Sequence, residues 1–221
     1  MKRKSILDQL GEKGADAGAI AGRIQKNSAQ ISQLVNALQA EQSSKKFAYE
    51  KALRLISEKS PGSVYPYFDI FARLLDSDNS FLKWGAIITI SNLASADTEG
   101  KFDALFRKYY APVAGPVMIT AANIIGSSAR IIRAKPPLAD PIVREILKVR
   151  NARYFLKKEL SPECRNVAIG HAIDMFDQAY DAIGMKTDVM EFVKTQTGNP
   201  RKQVAKKAER FIRKHKLPGS P

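Results

Sequence analysis

The side chains best equipped for covalent or metal chemistry in this chain are few. Beyond carboxylates and amines there are one cysteine, Cys164, and two histidines, His171 and His215. A thiol nucleophile needs a base within hydrogen-bond reach. Cys164 and His171 are seven residues apart in a stretch of helical periodicity, which separates them by about 10 Å along one face, too far to act together. Asp174, Asp177 and Asp181 recur at i, i+3 and i+7 beside His171. A hard cation takes most of its oxygen ligands from a loop, so this stripe reads as the polar face of a helix. The phosphate-cradling GxxxxGK[ST], a GxGxxG after a strand and the zinc motif HExxH are absent. The sequence therefore predicts no catalytic residue, no metal site and no cofactor.

What remains is charge. The chain has 221 residues with 36 Lys and Arg against 22 Asp and Glu, a formal net charge of +14. Net charge governs steering and association, so an acidic protein, an acidic peptide, DNA or RNA are the partners to consider. The excess is concentrated. Residues 104–139 contain no acid, and they include Arg107, Lys108, Arg130, Arg133 and Lys135. Residues 201–216 carry eight basic side chains against Glu209. Within the latter, Val204, Ala208, Phe211 and Ile212 fall on one helical face and Lys202, Lys206, Lys207, Arg210, Arg213 and Lys214 on the other, which is a basic amphipathic helix. The candidate partner-binding residues are Arg130, Arg133, Arg165, Arg201, Lys202, Lys206, Lys207 and Arg210.

The elements that must position these residues are helices. Small residues at Ala52, Ala86, Ala122, Ala172 and Ala208 sit among apolar neighbours, as in Phe47-Ala52-Ile56 and Phe81-Ala86-Ile90, at intervals of 34, 36, 50 and 36 residues. A period of that size marks a helix-turn-helix repeat, and the long interval implies an insertion of about fourteen residues within 134–160. Ser60-Pro61, Asp140-Pro141, Ser161-Pro162 and Asn199-Pro200 each place a capping side chain before a proline suited to the first helical position. No segment reads as a strand. Each helix pair has an apolar stripe that only a neighbouring pair can bury, so the expected fold is all-α, a right-handed α-α superhelix of about five helix pairs over residues 43–216. Residues 1–42 read as a polar segment, diluted by Gly11, Gly14, Gly18 and Gly22, that ends in a capping helix; 217–221 reads as a tail.

The stretch Asn199-Pro200-Arg201-Lys202-Gln203-Val204-Ala205-Lys206-Lys207-Ala208-Glu209-Arg210-Phe211-Ile212, with Leu74-Leu75-Asp76-Ser77-Asp78-Asn79 leading into a helix through Leu93, resembles the HEAT-repeat family. The resemblance covers roughly 44–216. It implies a scaffold whose second helices line a concave binding face, which would place Arg130, Arg133 and Arg165 in a groove; it implies no chemistry by itself. Some HEAT-like proteins are alkylpurine DNA glycosylases, which need a groove carboxylate beside aromatic rings. Here Trp84 has Asp76, Asp78 and Asp97 in neighbouring turns, but there is no second tryptophan.

The sequence thus predicts a non-catalytic scaffold with a basic concave or terminal surface for an acidic partner, with nucleic acid as the alternative. Trp84, Tyr109, Tyr110, Tyr154 and Phe155 are expected in the core. A single cysteine allows no internal disulfide, and Asp8, Glu12 and Asp16 stand where a secretory leader would be apolar. Both suit a cytoplasmic location without membrane insertion.

Overall fold

In the computed structural model, which describes residues 4–215, the chain forms two compact units, Met1–Leu105 and Phe106–Pro221. The first contains α1 (Ile6–Gly11), α2 (Ala17–Ile24), α3 (Ser28–Ala40), α4 (Lys45–Lys59), α5 (Pro61–Val64), α6 (Phe68–Leu74) and α7 (Ser80–Leu93), followed by α8 (Lys101–Tyr110), within which the division falls. The second contains α9 (Met118–Ala134), α10 (Ala139–Leu147), α11 (Pro162–Ala179), α12 (Lys186–Lys194) and α13 (Lys202–His215). The fold is all-α, as expected, apart from one short hairpin among the described residues.

The opening segment is more ordered than its glycines suggest. Ser5 and Asp8 form a reciprocal capping box on α1, and Asp16 and Asn27 accept from the amides of Ala19 and Gln30 to start α2 and α3. Caps of this kind contribute about 1 kcal/mol each. They allow Gly18 and Gly22 to stand inside a helix whose Ile20, Ala21 and Ile24 are buried. Helices α2 and α3 pack against α4, and α4 packs against α7. Ile31, Leu34, Leu53, Ile56, Phe68, Phe71 and Ile90 are at most 1% exposed; each such side chain contributes roughly 1.5–3 kcal/mol by leaving water. Polar links fix the arrangement. Asn92 Nδ2 donates to Ser57 Oγ at 2.8 Å, joining α7 to α4. The Asp97 carboxylate accepts from Tyr65 Oη at 2.6 Å and from the amides of Lys101 and Phe102 at the start of α8.

In the second unit α11 lies between α9 and α13, with α10 and α12 alongside. Tyr109 and Tyr110 are buried as expected, and Tyr110 bonds Ser128 at 3.1 Å. Ser161 caps α11 by accepting from the Cys164 amide, and Asn199 accepts from the Arg201 amide just before α13. Asp140 does something else. Its helix, α10, begins one residue earlier, out of the turn Pro136–Leu138, and the Asp140 carboxylate accepts from the amides of Gly184 and Met185 at 2.8 and 3.0 Å. A distant pair of orphan amides outcompeted the local cap.

The extra residues of the long interval form the turn Lys148–Asn151 and an antiparallel hairpin of β1 (Phe155–Leu156) and β2 (Glu159–Leu160), the one sheet among the described residues. Its turn residues, Lys157 and Lys158, have φ of 51° and 71°, the left-handed pair that a two-residue hairpin demands. Nothing in the residue types signals it, since Asn and Gly are the residues that adopt that conformation readily. The surroundings impose it instead. Tyr154 is buried and donates to the Val113 carbonyl at 2.5 Å, and Phe155 donates its amide to the Pro116 carbonyl at 3.0 Å. Gly115, at φ 120°, makes this approach possible, because a Cβ there would strike the Arg153 carbonyl.

Candidate functional site

The buried alanines organise the exposed surface as well as the core. Ala52, Ala86, Ala172 and Ala208 are fully buried; in α9 the buried residue is Ala121, while Ala122 is only half-buried. At 3.6 residues per turn a position five before the anchor lies about 140° around the helix. Phe47 and Phe81 therefore do not continue the core stripe of Ala52-Ile56 and Ala86-Ile90, although the sequence groups them with it. Phe47 is half-buried and Phe81 is 68% exposed. Positions −5, −2, −1 and +2 from the anchor all fall on the side away from the core, and in the first unit they form a groove.

That groove, of about 460 Å³, is lined by Phe47, Glu50, Lys51 and Arg54 from α4 and by Phe81, Trp84, Gly85 and Ile88 from α7. The two sets occupy identical positions relative to Ala52 and Ala86. Phe81 meets Phe47 edge-on at 6.1 Å and Trp84 edge-on at 5.6 Å between ring centroids, so three aromatic rings form a continuous wall. Trp84 is half-buried on that wall and not between layers. At the floor lies Glu50, only 7% exposed, 3.3 Å from Arg54 Nε. The ion pair is misaligned: among the described residues neither Glu50 Oε1 nor Arg54 Nε has a hydrogen-bond partner. Burial pushes the Glu50 carboxyl up to about 7, against the opposing pull of Arg54. Gly85 makes the room, since a Cβ there would overlap the Glu50 carboxylate.

The sequence missed this carboxylate. Asp76 and Asp78 are exposed and Asp97 is engaged with Tyr65 and the start of α8, so the acid beside aromatic rings is Glu50, thirty-four residues before Trp84. One signal was available. Glu50 and Trp84 hold the same position in successive repeats, as do Lys51 and Gly85.

In the second unit the corresponding positions include charged side chains. Asp174, at +2 in α11, pairs with Lys207 of α13 and lies 3.9 Å from Arg210. Asp177 binds Lys214 at 2.9 Å and His215 Nε2 at 2.7 Å, and Glu163 binds Arg201. The acidic stripe of α11 thus holds the basic helix α13 in place. Burial opposes ionisation of Asp177, but the bonds from Lys214 and His215 outweigh it and hold its carboxyl below the usual range. His171 is also lowered, by burial and then by nearby Lys207, which favours its neutral form. Cys164 is buried.

The predicted basic residues therefore divide. Arg201, Lys207 and Arg210 have acidic neighbours within the unit, whereas Lys202 and Lys206, with Arg213, are exposed and make no ion pair among the described residues. Arg130 is half-buried in the penultimate turn of α9 and has a partner; Arg133 is exposed in the last turn; Arg165 is half-buried in the first turn of α11. Tyr154 is core as expected, but Phe155, Leu156 and Leu160 are 43%, 60% and 52% exposed. Lys216 and the expected tail 217–221 lie outside the described residues. No helix among the described residues is long and apolar enough to cross a membrane.

No family model matches this chain, and no curated protein matches it. Among solved structures it is similar to an engineered protein with a TM-score of 0.48 at 15% identity, over 94% of this chain and 96% of that one. It is also similar, with a TM-score of 0.45 at 15% identity over 94% of this chain and 97% of that one, to a designed armadillo repeat protein in complex with the peptide (KR)4.

Proposed function

We propose that the protein is a non-catalytic helical-repeat scaffold that binds an acidic protein or peptide through the basic surface of its second unit. The observation that carries this reading is the outer face of α13. Lys202, Lys206 and Arg213 project from a helix whose Val204, Ala208 and Phe211 are buried and whose remaining cations are tied to α11. The helix is anchored, and its free cations are displayed without having to order a flexible tail. Three unpaired cations, with exposed Arg133, suit a short acidic segment better than a long run of phosphates, which engages many more.

The test is fluorescence anisotropy of a labelled Glu-rich peptide and of double- and single-stranded DNA at several salt concentrations. Peptide binding that weakens with salt less steeply than DNA binding does, and that is weakened about tenfold or more by the triple variant Lys202→Glu, Lys206→Glu, Arg213→Glu, is the expected result. Nucleic acid is the second reading, favoured by the same exposed cations. Submicromolar DNA binding whose log affinity falls steeply with log salt would establish it in place of the first. Release of free base from an alkylated duplex would overturn the non-catalytic assignment, and the carboxylate to replace in that event is Glu50.

A further inference from the structure

The aromatic groove of the first unit is unused by this reading, yet it is a concave pocket with a wall of rings and few, convergent polar groups, the usual make-up of a ligand site. We propose that it is a separate binding site for an acidic segment of a partner protein, whose bulky apolar side chain enters between Phe47, Phe81 and Trp84 and whose carboxylate meets Arg54 and Lys51. It rests on α4 and α7 alone and stands independently of α13.

Three observations select this occupant. Phe81, the residue at the mouth, is 68% exposed, an apolar surface that water solvates poorly and a partner's side chain would cover. The cations are placed for an anion: Lys51 is exposed and Arg54 half-buried, and both line the pocket on one face of α4. Finally, Glu50 engages Arg54 by a misaligned contact that leaves both atoms without a hydrogen bond, so a ligand carboxylate offers the guanidinium a better-aligned acceptor. A ring of aromatics around a carboxylate would also suit a cation. Here a cation is disfavoured, because Arg54 lies 3.3 Å from Glu50 and Lys51 adds a second positive charge to the pocket lining.

The two alternatives have opposite pH signatures. The groove-lining charges are Glu50, Lys51 and Arg54, all from α4; α7 contributes none. An anion bound beside Glu50 favours its protonated form, so binding takes up a proton and tightens as pH falls from 8 to 6, through the value near 7 to which burial raises this carboxyl. A cation would release the proton and bind more tightly as pH rises.

Trp84 is the sole tryptophan of the chain, and its fluorescence reports on the groove directly. Three tryptophan-free acetylated peptides serve as probes: Phe-Glu-Glu, Phe-Gln-Gln and Phe-Lys-Lys, each amidated. The Glu peptide is expected to give a saturable Trp84 response that tightens about three- to fivefold from pH 8 to pH 6, about fivefold corresponding to a rise of one pH unit in the Glu50 titration on binding. Glu50→Gln is expected to abolish that pH dependence and to bind at pH 8 as the wild type does at pH 6. Arg54→Gln is expected to weaken binding about fivefold or more. The triple α13 variant should leave the response unchanged, which separates this site from the basic helix. Equal binding of the Gln peptide, preference for the Lys peptide with the reverse pH trend, or no Trp84 response to any of the three would each overturn the proposal.

Discussion

Replacing Glu50 by Gln should make the protein more stable at pH 8 and raise its stability by less than about 1 kcal/mol at pH 5. The unfolded chain holds Glu50 at about its ordinary 4.5, while burial raises it to about 7 in the folded state. Between those values the folded state binds a proton that the unfolded state does not. The stability that goes with the protonated form is complete below pH 4.5 and is lost as pH rises through 7. At about 1.4 kcal/mol per pH unit, the ionised side chain costs about 3 kcal/mol at pH 8 relative to the neutral one. Gln has the shape and polarity of the protonated acid and avoids that cost. Since about 1 kcal/mol moves the midpoint of a domain this size by a few degrees, the variant should melt roughly 5–10 °C higher at pH 8. The assay is thermal unfolding of wild type and variant at pH 5, 6, 7 and 8, followed by circular dichroism and Trp84 fluorescence. Other carboxylates cancel in the difference between the two proteins. A difference that does not grow with pH, or a variant less stable at pH 8, would show that Glu50 is well solvated or that Arg54 fully compensates its burial.

Further expectations follow from single contacts. Gly115→Ala should destabilise the second unit by about 2 kcal/mol or more, because φ 120° and the adjacent Arg153 carbonyl both exclude a Cβ; chemical denaturation measures it. Lys158→Gly should stabilise by roughly 0.5–1 kcal/mol by relieving φ 71° at the hairpin turn, seen as a higher midpoint with unchanged slope. Asp174→Asn frees Lys207 and Arg210 from their ion pairs; it should lower the melting temperature slightly and, if DNA binds at all, steepen the log–log salt dependence by about one to two. Ser161→Ala removes the cap of α11 and should cost about 1 kcal/mol.

The helical architecture was legible because it depends on period and punctuation, both written locally. Ala52, Ala86, Ala172 and Ala208 are buried where the repeat placed them, and Ser161 caps α11 as its residue type indicates. What escaped were outcomes of competition between distant groups. Asp140 is a good cap in isolation, but the amides of Gly184 and Met185, more than forty residues away, claim its carboxylate. Lys157 and Lys158 have no local preference for left-handed backbone, and it is Tyr154 and Gly115 that force it. The groove around Glu50 was hidden for another reason. A glutamate among Lys51 and Arg54 looks like part of a solvated helix face, and its burial follows only once Gly85 of another helix is known to lie against it. The surface charge was readable as composition but not as availability, because the pairs that occupy Arg201, Lys207 and Arg210 join residues more than thirty apart.

The register around the buried alanines separates two kinds of work. The residue that lets helices approach is a small apolar one at the anchor, and those that meet the surroundings stand two before, one before and two after it, on the far side of the helix. Substitutions at the outward positions leave the buried alanine anchors themselves untouched, and one layout holds Trp84, Gly85 and Ile88 in one repeat and Lys206, Lys207 and Arg210 in another. A chain built this way can change what it recognises repeat by repeat, as text is changed on ruled paper, while the folding problem it solves stays the same. Glu50 and Gly85 mark the limit. Glu50 reaches inward from an outward position into the space that Gly85 leaves, so a change at either will be felt in stability as well as in recognition.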